Sequence, residues 1–240
     1  MAPKLTTPPF TISWVRPRLA PPRIVLRFAT KIPPRLALPT WDMSLALERL
    51  CHDFCSRCPE FFHIDPARLV FNLVRNRKRT LHGLQARITP MRFEGGLLTG
   101  VRRQRNFQIQ RFFLDGREIL YHLAFCVPRF LMLSPRERFI TILHELFHID
   151  PSFHGGLRRF AGACPHHGPS KRDFDLKMAE ILDRYQNGEK DEGAYQPFLS
   201  NMTDYRQSFS GVEGWCAPKP RLIPLDLGRA EIAEDFYDQT

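Results

Sequence analysis

Hydrophobic residues recur at two different periods along the chain, and the two periods predict a mixture of helices and strands. Residues 43–58 carry apolar side chains at helical spacing and predict an amphipathic helix. Four shorter segments are typical of strands: 68–75, 84–93, 106–114 and 118–127. Asp115-Gly116 separates the last two and is a turn signal, so a hairpin is predicted there.

A second helix has an unusually clear start in the sequence. Ser134 is a favourable N-cap, Pro135 fits the first helical position, and Glu137 completes a capping box. Pro151 marks the end of the pattern. The apolar face of this helix is formed by Phe139, Ile140, Leu143, Leu146 and Phe147. The pattern therefore predicts a capped amphipathic helix that packs against the core.

A third helix is predicted from Ser170 to Asn187-Gly188. Its buried stripe consists of Phe174, Met178, Ile181, Leu182 and Tyr185. Residues 213–227 are rich in loop-forming residues and are expected to wrap the domain. The sequence predicts an α+β fold in which a mostly antiparallel, twisted sheet packs on the second and third helices.

Composition divides the 240 residues into three parts. Residues 1–41 contain nine prolines, seven basic residues and no acidic residue, so we expect 1–40 to be a disordered leader rather than a secretory signal. The folded domain is predicted over 41–227, followed by a tail at 228–240. No apolar run reaches the roughly 18 residues that cross a bilayer. The six cysteines show no secreted framework, so a cytoplasmic protein without membrane attachment is expected.

Positive charge is concentrated in one part of the chain. The formal net charge is +10, and residues 66–114 contain eleven Lys or Arg but a single acid, Glu94. The runs RNRKR at 75–79 and RRQR at 102–105 stand out. Such a surface attracts polyanions, and a solvated basic face is an equally good interpretation.

The sequence LHELFH at 143–148 carries the strongest chemical signal. On a helix, His144 and His148 lie about 40° apart around the axis and about 6 Å apart along it. Both imidazoles can therefore bind one Zn²⁺ ion. Glu145 lies one step further round, where it can reach a metal-bound water and act as general base. The pattern predicts zinc-dependent hydrolysis of a peptide bond.

A catalytic zinc site needs a third protein ligand, and four residues after the helix are candidates. His154 lies ten residues after His144, an interval that other zinc peptidases use, although Pro151 stands where their motif has glycine. His166 and His167 lie in a loop just before the third helix. Glu180 lies on that helix, where a solvated position is the better interpretation. The residues alone leave this choice open.

Longer stretches of the sequence resemble a bacterial and phage family of zinc metallopeptidases. The similarity is carried by HELFHIDPSFHGGLRRFAGACPHHGPSKRDFD, HGLQARITPMRFEGG and KPRLIPL, and it covers roughly residues 41–227. SprT-like peptidases also use a late histidine, commonly followed by glycine, as in His167-Gly168. The resemblance implies a zincin-like fold, a protein or peptide substrate, and zinc bound by His144, His148 and His167.

Two further features allow other interpretations. Cys51, Cys55 and Cys58 have the CxxxCxxC spacing of some iron–sulfur proteins, but they fall on one face of the first predicted helix, as buried free cysteines do. The basic region is interleaved with aromatic residues at 93, 107, 112 and 113. An alternative function is therefore a nucleic-acid-associated protein whose metal site is secondary or inactive.

Overall fold

The structure is a computed structural model that describes residues 23–27, 38–75, 83–160 and 171–225. The helices within these ranges are α1 (Met43–Arg57), α2 (Pro135–Phe147), α3 (Lys171–Asn187), α4 (Glu192–Tyr195) and α5 (Met202–Ser208). The strands are β1 (Arg23–Arg27), β2 (Thr40–Asp42), β3 (Leu69–Arg75), β4 (Ala86–Pro90), β5 (Thr99–Arg102), β6 (Arg105–Ile109), β7 (Phe112–Leu114), β8 (Arg117–Ile119), β9 (Tyr121–Val127), β10 (Gly211–Trp215) and β11 (Leu222–Pro224). The α+β prediction is thereby confirmed.

The largest sheet has a parallel centre and antiparallel edges. Its strand order is β1-β10-β3-β9-β4, with β2 paired alongside β10. The β10–β3 and β3–β9 pairs are parallel, whereas β4 and β1 run antiparallel to their neighbours. The prediction of a mostly antiparallel sheet is therefore wrong for the sheet that packs on the helices. The physical reason is that β3 and β9 are buried on both faces, which is typical of central parallel strands.

Two smaller sheets account for strand segments that the hydrophobic pattern joined together. The turn at Asp115-Gly116 joins β7 to β8, so the predicted hairpin is confirmed. The predicted strand 106–114 is divided between β6 and β7, because β6 pairs with β5 and β11 instead of continuing. Residues 213–227 were expected to be loop-rich, yet they hold most of β10 and all of β11.

The three predicted helices are present and share one core. The capping box of α2 is formed, since the Ser134 N–H donates to the Glu137 carboxylate and the Glu137 N–H donates to the Ser134 hydroxyl. The main core lies between α1, α2 and α3 and one face of the large sheet. On the opposite face a second cluster contains Val70, Met91, Phe112 and Ile119. The sheet is thus covered on both sides near its centre.

The predicted leader, residues 1–40, lies mostly outside the described residues. Within it, Arg23–Arg27 forms β1, which pairs antiparallel with β10 across five residue pairs. Backbone pairing therefore exists where disorder was expected over this short stretch. The tail at 228–240 also lies outside the described residues. Among the described helices, none combines the length and apolarity that crossing a membrane requires.

Candidate metal centre

The two histidines of the HELFH segment lie side by side at the C-terminal end of α2. Their ring centroids are 4.8 Å apart and the ring planes are inclined by 78°. The side chain of His144 is 18% exposed, and His148, which caps the helix, is buried. His144 is therefore partly exposed, whereas His148 is buried.

The distance between the two rings can be compared with that of two histidines bound to one zinc ion. Zn–N bonds of about 2.0–2.1 Å at near-tetrahedral angles would place the centroids of two ligand rings about 5 Å apart. The observed 4.8 Å fits that separation. Imidazole nitrogen is also a favourable donor for Zn²⁺. The separation of the two rings is therefore compatible with two ligands of one Zn²⁺ ion.

Glu145 points from α2 towards the neighbouring edge of the large sheet. It is 9% exposed, and its Oε2 accepts a hydrogen bond of 2.7 Å from the backbone N–H of Ile88 in β4. Burial raises the pKa of Glu145 to about 7, although the Ile88 N–H and the charge of Arg87 both lower it. A carboxyl group in this range can take up and release a proton near neutral pH.

Among the described residues, β4 is the last strand of the large sheet, and no strand pairs with its edge towards Glu145. Hydrogen bonds join the β4 segment to its partner at Gln85–Cys126 and Met91–Leu120. Because bonded and non-bonded positions alternate in an antiparallel pair, Ala86, Ile88 and Pro90 direct their backbone groups away from β9. The Ile88 N–H reaches Glu145 for this reason. The sequence does not reveal this contact, since nothing in the hydrophobic pattern identifies an edge strand.

The loop that follows α2 is fastened at several points. The N–H of Arg158 donates to the carbonyl of His148, and the N–H of Asp150 donates to the carbonyl of Gly156. The N–H of Arg92 donates to the carbonyl of Gly155. The loop is thus folded back on the end of α2 and tied to the segment after β4.

Within this loop, both ring nitrogens of His154 lie close to other groups of the same loop. Its Nδ1 accepts a hydrogen bond of 3.1 Å from the Gly156 N–H, and its Nε2 lies 3.5 Å from a carboxylate oxygen of Asp150. Both ring nitrogens therefore face protein groups. The ring packs so closely on Gly96 and Gly156 that a Cβ atom at either glycine would lie 2.7–2.8 Å from it.

The third ligand is not defined by the part of the chain that the structure describes. Glu180 is exposed on α3, as the solvated interpretation predicted. His166 and His167 lie outside the described residues, so the assignment of His167 stays a prediction. Within the described ranges, no group of three or more His, Cys, Asp or Glu side chains is arranged to hold a metal ion.

The first turn of α3 supplies two neighbours of the histidine pair. Phe174 is buried, and its ring centroid lies 4.6 Å from that of His144 and 5.3 Å from that of His148. A carboxylate oxygen of Asp175 lies 3.6 Å from His144 Nδ1. The apolar stripe predicted that Phe174 is buried, but it did not reveal that Asp175, the next residue, would approach the site.

The other sequence motifs occupy structural positions in the described part of the chain. Cys51 and Cys55 are free thiols on α1 with their Sγ atoms 3.9 Å apart, and Cys58 caps that helix as another free thiol. Arg158 lies 4.1 Å over the ring of Phe147, and the exposed Arg159 pairs with Glu94.

Comparison of the chain with protein-family models, with curated protein sequences and with solved structures gives no match.

Proposed function

We propose that this protein is a zinc metallopeptidase with a zincin-like arrangement of helix and sheet. The proposal depends on one observation: the ring centroids of His144 and His148 are 4.8 Å apart, and the buried Glu145 beside them accepts a hydrogen bond from Ile88 in β4. His144, His148 and His167 would hold the ion. Bound zinc would lower the pKa of a water molecule and polarise the carbonyl of the scissile peptide.

In this proposal Glu145 moves the proton. Its carboxylate would accept a proton from the attacking water and later deliver it to the leaving amine. The hydrogen bond from the Ile88 N–H occupies one carboxylate oxygen, Oε2. That bond fixes the orientation of the carboxylate and leaves the other oxygen, Oε1, for proton transfer.

The edge of β4 supports a peptide substrate rather than a small molecule. An extended chain can add to an unpaired strand edge through main-chain hydrogen bonds, which makes binding tolerant of sequence. The carbonyls of Ala86, Ile88 and Pro90 face that edge, and Ile88 itself contacts Glu145. A peptide bound there would lie beside the residue that transfers the proton.

The decisive experiment measures metal content and peptide hydrolysis in the same protein preparations. We expect one zinc per chain in the wild type, and loss of that zinc in His144→Ala and His167→Ala. We expect Glu145→Gln to keep the zinc but to lose about 10²–10⁴-fold in hydrolysis of a mixed peptide library, because only the proton-transfer group is removed.

Two control variants separate a zinc site from general damage to the fold. His52→Ala changes an exposed histidine on α1, and His154→Ala changes the histidine that faces Asp150 and Gly156. Both are expected to keep zinc and activity. A wild-type chain that takes up no zinc at neutral pH would contradict the proposed function.

A second candidate function, binding of nucleic acid, is favoured by the turn between β5 and β6. Arg102, Arg103 and Arg105 are exposed there, and no ion pair joins them to an acidic side chain within the described residues. Arg103 and Gln104 have positive φ angles of 49° and 63°. Hairpin turns of this kind normally use Asn-Gly, so an arginine in this conformation is strained and suggests a role in binding.

Binding to random-sequence duplex DNA at 50 and 200 mM salt would test this candidate. Each phosphate contact contributes a slope of about −0.9 to log K against log salt. Replacing Arg102, Arg103 and Arg105 by Gln should therefore reduce the slope, whereas a double change of the exposed Arg49 and Arg206 should not. No binding by the wild type at moderate salt would remove the candidate.

A further inference from the structure

The first turn of α3 contacts both rings of the histidine pair. Phe174 lies nearly parallel to the ring of His148, at 26°, and is tilted by 59° against the ring of His144. Asp175 places a carboxylate oxygen 3.6 Å from Nδ1 of His144. One helical turn therefore presents an aromatic face to both rings and a negative charge to a single nitrogen of one ring.

The carboxylate of Asp175 affects which ring nitrogen of His144 can bind a metal. A neutral imidazole carries its proton on either Nδ1 or Nε2, and only the other nitrogen has a lone pair for an ion. A carboxylate beside Nδ1 stabilises the tautomer that is protonated at Nδ1. Histidines that bind metals commonly have such a partner on the second nitrogen. In that tautomer the lone pair lies on Nε2, which is then the ring nitrogen that can bind a metal.

We propose that Asp175 is a positioning residue that holds His144 as the Nδ1–H tautomer and so prepares Nε2 to bind zinc. The zinc half of this inference rests on the proposed function, whereas the tautomer half concerns the metal-free protein. Phe174 restricts the rotation of both rings, so the turn formed by Phe174 and Asp175 presents the donors of α2 in a fixed orientation. A preorganised donor pair costs less to order when the ion binds.

If Asp175 only stabilised the fold, its loss would lower the melting temperature and leave the tautomer of His144 unchanged. The Asp175 side chain is 40% exposed, and its contact with His144 is longer than a direct hydrogen bond. An exposed contact of this kind contributes little to folding. Loss of Asp175 should therefore leave the melting temperature almost unchanged while it alters the state of the His144 ring. These two readouts separate positioning from stabilisation.

The first test measures the tautomer in the metal-free protein. Long-range ¹H–¹⁵N correlation spectra of ¹⁵N-histidine-labelled protein at pH 8, assigned with His144→Ala, report which ring nitrogen of His144 carries the proton. We expect Nδ1–H in the wild type and a shift towards Nε2–H in Asp175→Ala. Asp175→Asn, which keeps an oxygen acceptor without the charge, should be intermediate. A wild-type His144 protonated at Nε2 would overturn the proposal.

The second test measures zinc affinity by competition with a chromophoric chelator. We expect Asp175→Ala to bind zinc about 10–100-fold more weakly than the wild type. Asp183→Asn, a half-exposed acidic position on the same helix that pairs with Arg136, is the matched control and should stay within twofold. Equal affinity of the wild type and Asp175→Ala would overturn the zinc half of the inference. If the wild type binds no zinc, the proposed function fails, and the metal-free spectra still decide the role of Asp175.

Discussion

Tyr121 holds the loop that follows α2 against the large sheet. Its buried hydroxyl group donates a hydrogen bond of 2.8 Å to the carbonyl of Gly156 and accepts one of 3.0 Å from the N–H of Gly155. Burial raises the pKa of Tyr121 to about 12, so the hydroxyl stays protonated at neutral pH. One side chain of β9 thus satisfies two backbone groups of a loop more than thirty residues away in sequence.

We expect Tyr121→Phe to lower the free energy of unfolding by about 1–3 kcal/mol, because a backbone donor and acceptor lose their partner in a buried place. Urea denaturation at pH 7 measures the change. Tyr195→Phe is a suitable control, since its hydroxyl accepts from the half-buried Gln186 side chain, which water can replace. Equal losses in the two variants would contradict an anchoring role for Tyr121.

Contacts between helices depend on a buried carboxylate, Asp53. This residue of α1 accepts hydrogen bonds from Nε of Arg57, from the hydroxyl of Tyr185 in α3 and from the N–H of Asp191, which caps α4. Burial alone would raise the pKa of Asp53, but the hydrogen bonds from Tyr185, Arg57 and Asp191 outweigh it and lower the pKa. Asp53 therefore joins three helices, and these hydrogen bonds favour its charged form.

The direction of this pKa shift sets a pH dependence. A carboxyl group whose pKa is lower in the folded chain than its unfolded value of about 3.9 stabilises the fold above that value. The stabilisation is lost as the pH falls through the folded pKa. We expect Asp53→Asn to lower the free energy of unfolding by about 2 kcal/mol at pH 7 and by progressively less below about pH 4. Urea titrations at pH 7 and pH 3 measure both values.

Asp183→Asn provides the comparison at the same two pH values. Asp183 pairs with Arg136 between α3 and α2, but both side chains are about half exposed. Exposed ion pairs contribute little, so this variant should resemble the wild type throughout. If Asp53→Asn lowered the free energy of unfolding equally at both pH values, the packing of the Asp53 side chain, and not its charge, would explain its role.

At the scale of the whole molecule, the candidate centre joins parts that are distant in sequence. α2 contributes the histidines, β4 contributes the N–H that holds Glu145, and α3 contributes Phe174 and Asp175. An ion bound by this assembly would favour the folded chain, because the unfolded chain does not bring these groups together. Metal binding and folding should therefore be linked.

This linkage predicts a zinc-dependent melting temperature. Free zinc at about 100 times its dissociation constant should stabilise the fold by about 2.7 kcal/mol, and a chelator should reverse the effect. The shift should vanish in His144→Ala and persist in His52→Ala, which changes an exposed histidine. Differential scanning fluorimetry with zinc and with chelator measures it. An equal shift in His144→Ala would place the stabilising ion elsewhere.

Local features of the fold were predictable because neighbouring residues form them. The capping box at Ser134 and Glu137, the helix of Phe174 and Tyr185, and the turn at Asp115-Gly116 all depend on contacts within a few positions. The long apolar runs of β3 and β9 also carried a signal for central parallel strands. The parallel pairing of β3 with β9 was not predicted, because it joins segments that are distant in the sequence and each apolar run also fits an antiparallel sheet.

The sequence by itself determined the three longest helices and the proximity of His144, Glu145 and His148 on the second of them, because helix spacing is a property of the local chain. The short helices α4 and α5 were not predicted. Only the tertiary structure decided that β4 is an edge strand, that Ile88 binds Glu145, that His154 turns towards Asp150, and that Asp175 faces His144. These relations join residues through strand order and packing, and strand order depends on burial across the whole sheet rather than on any one segment.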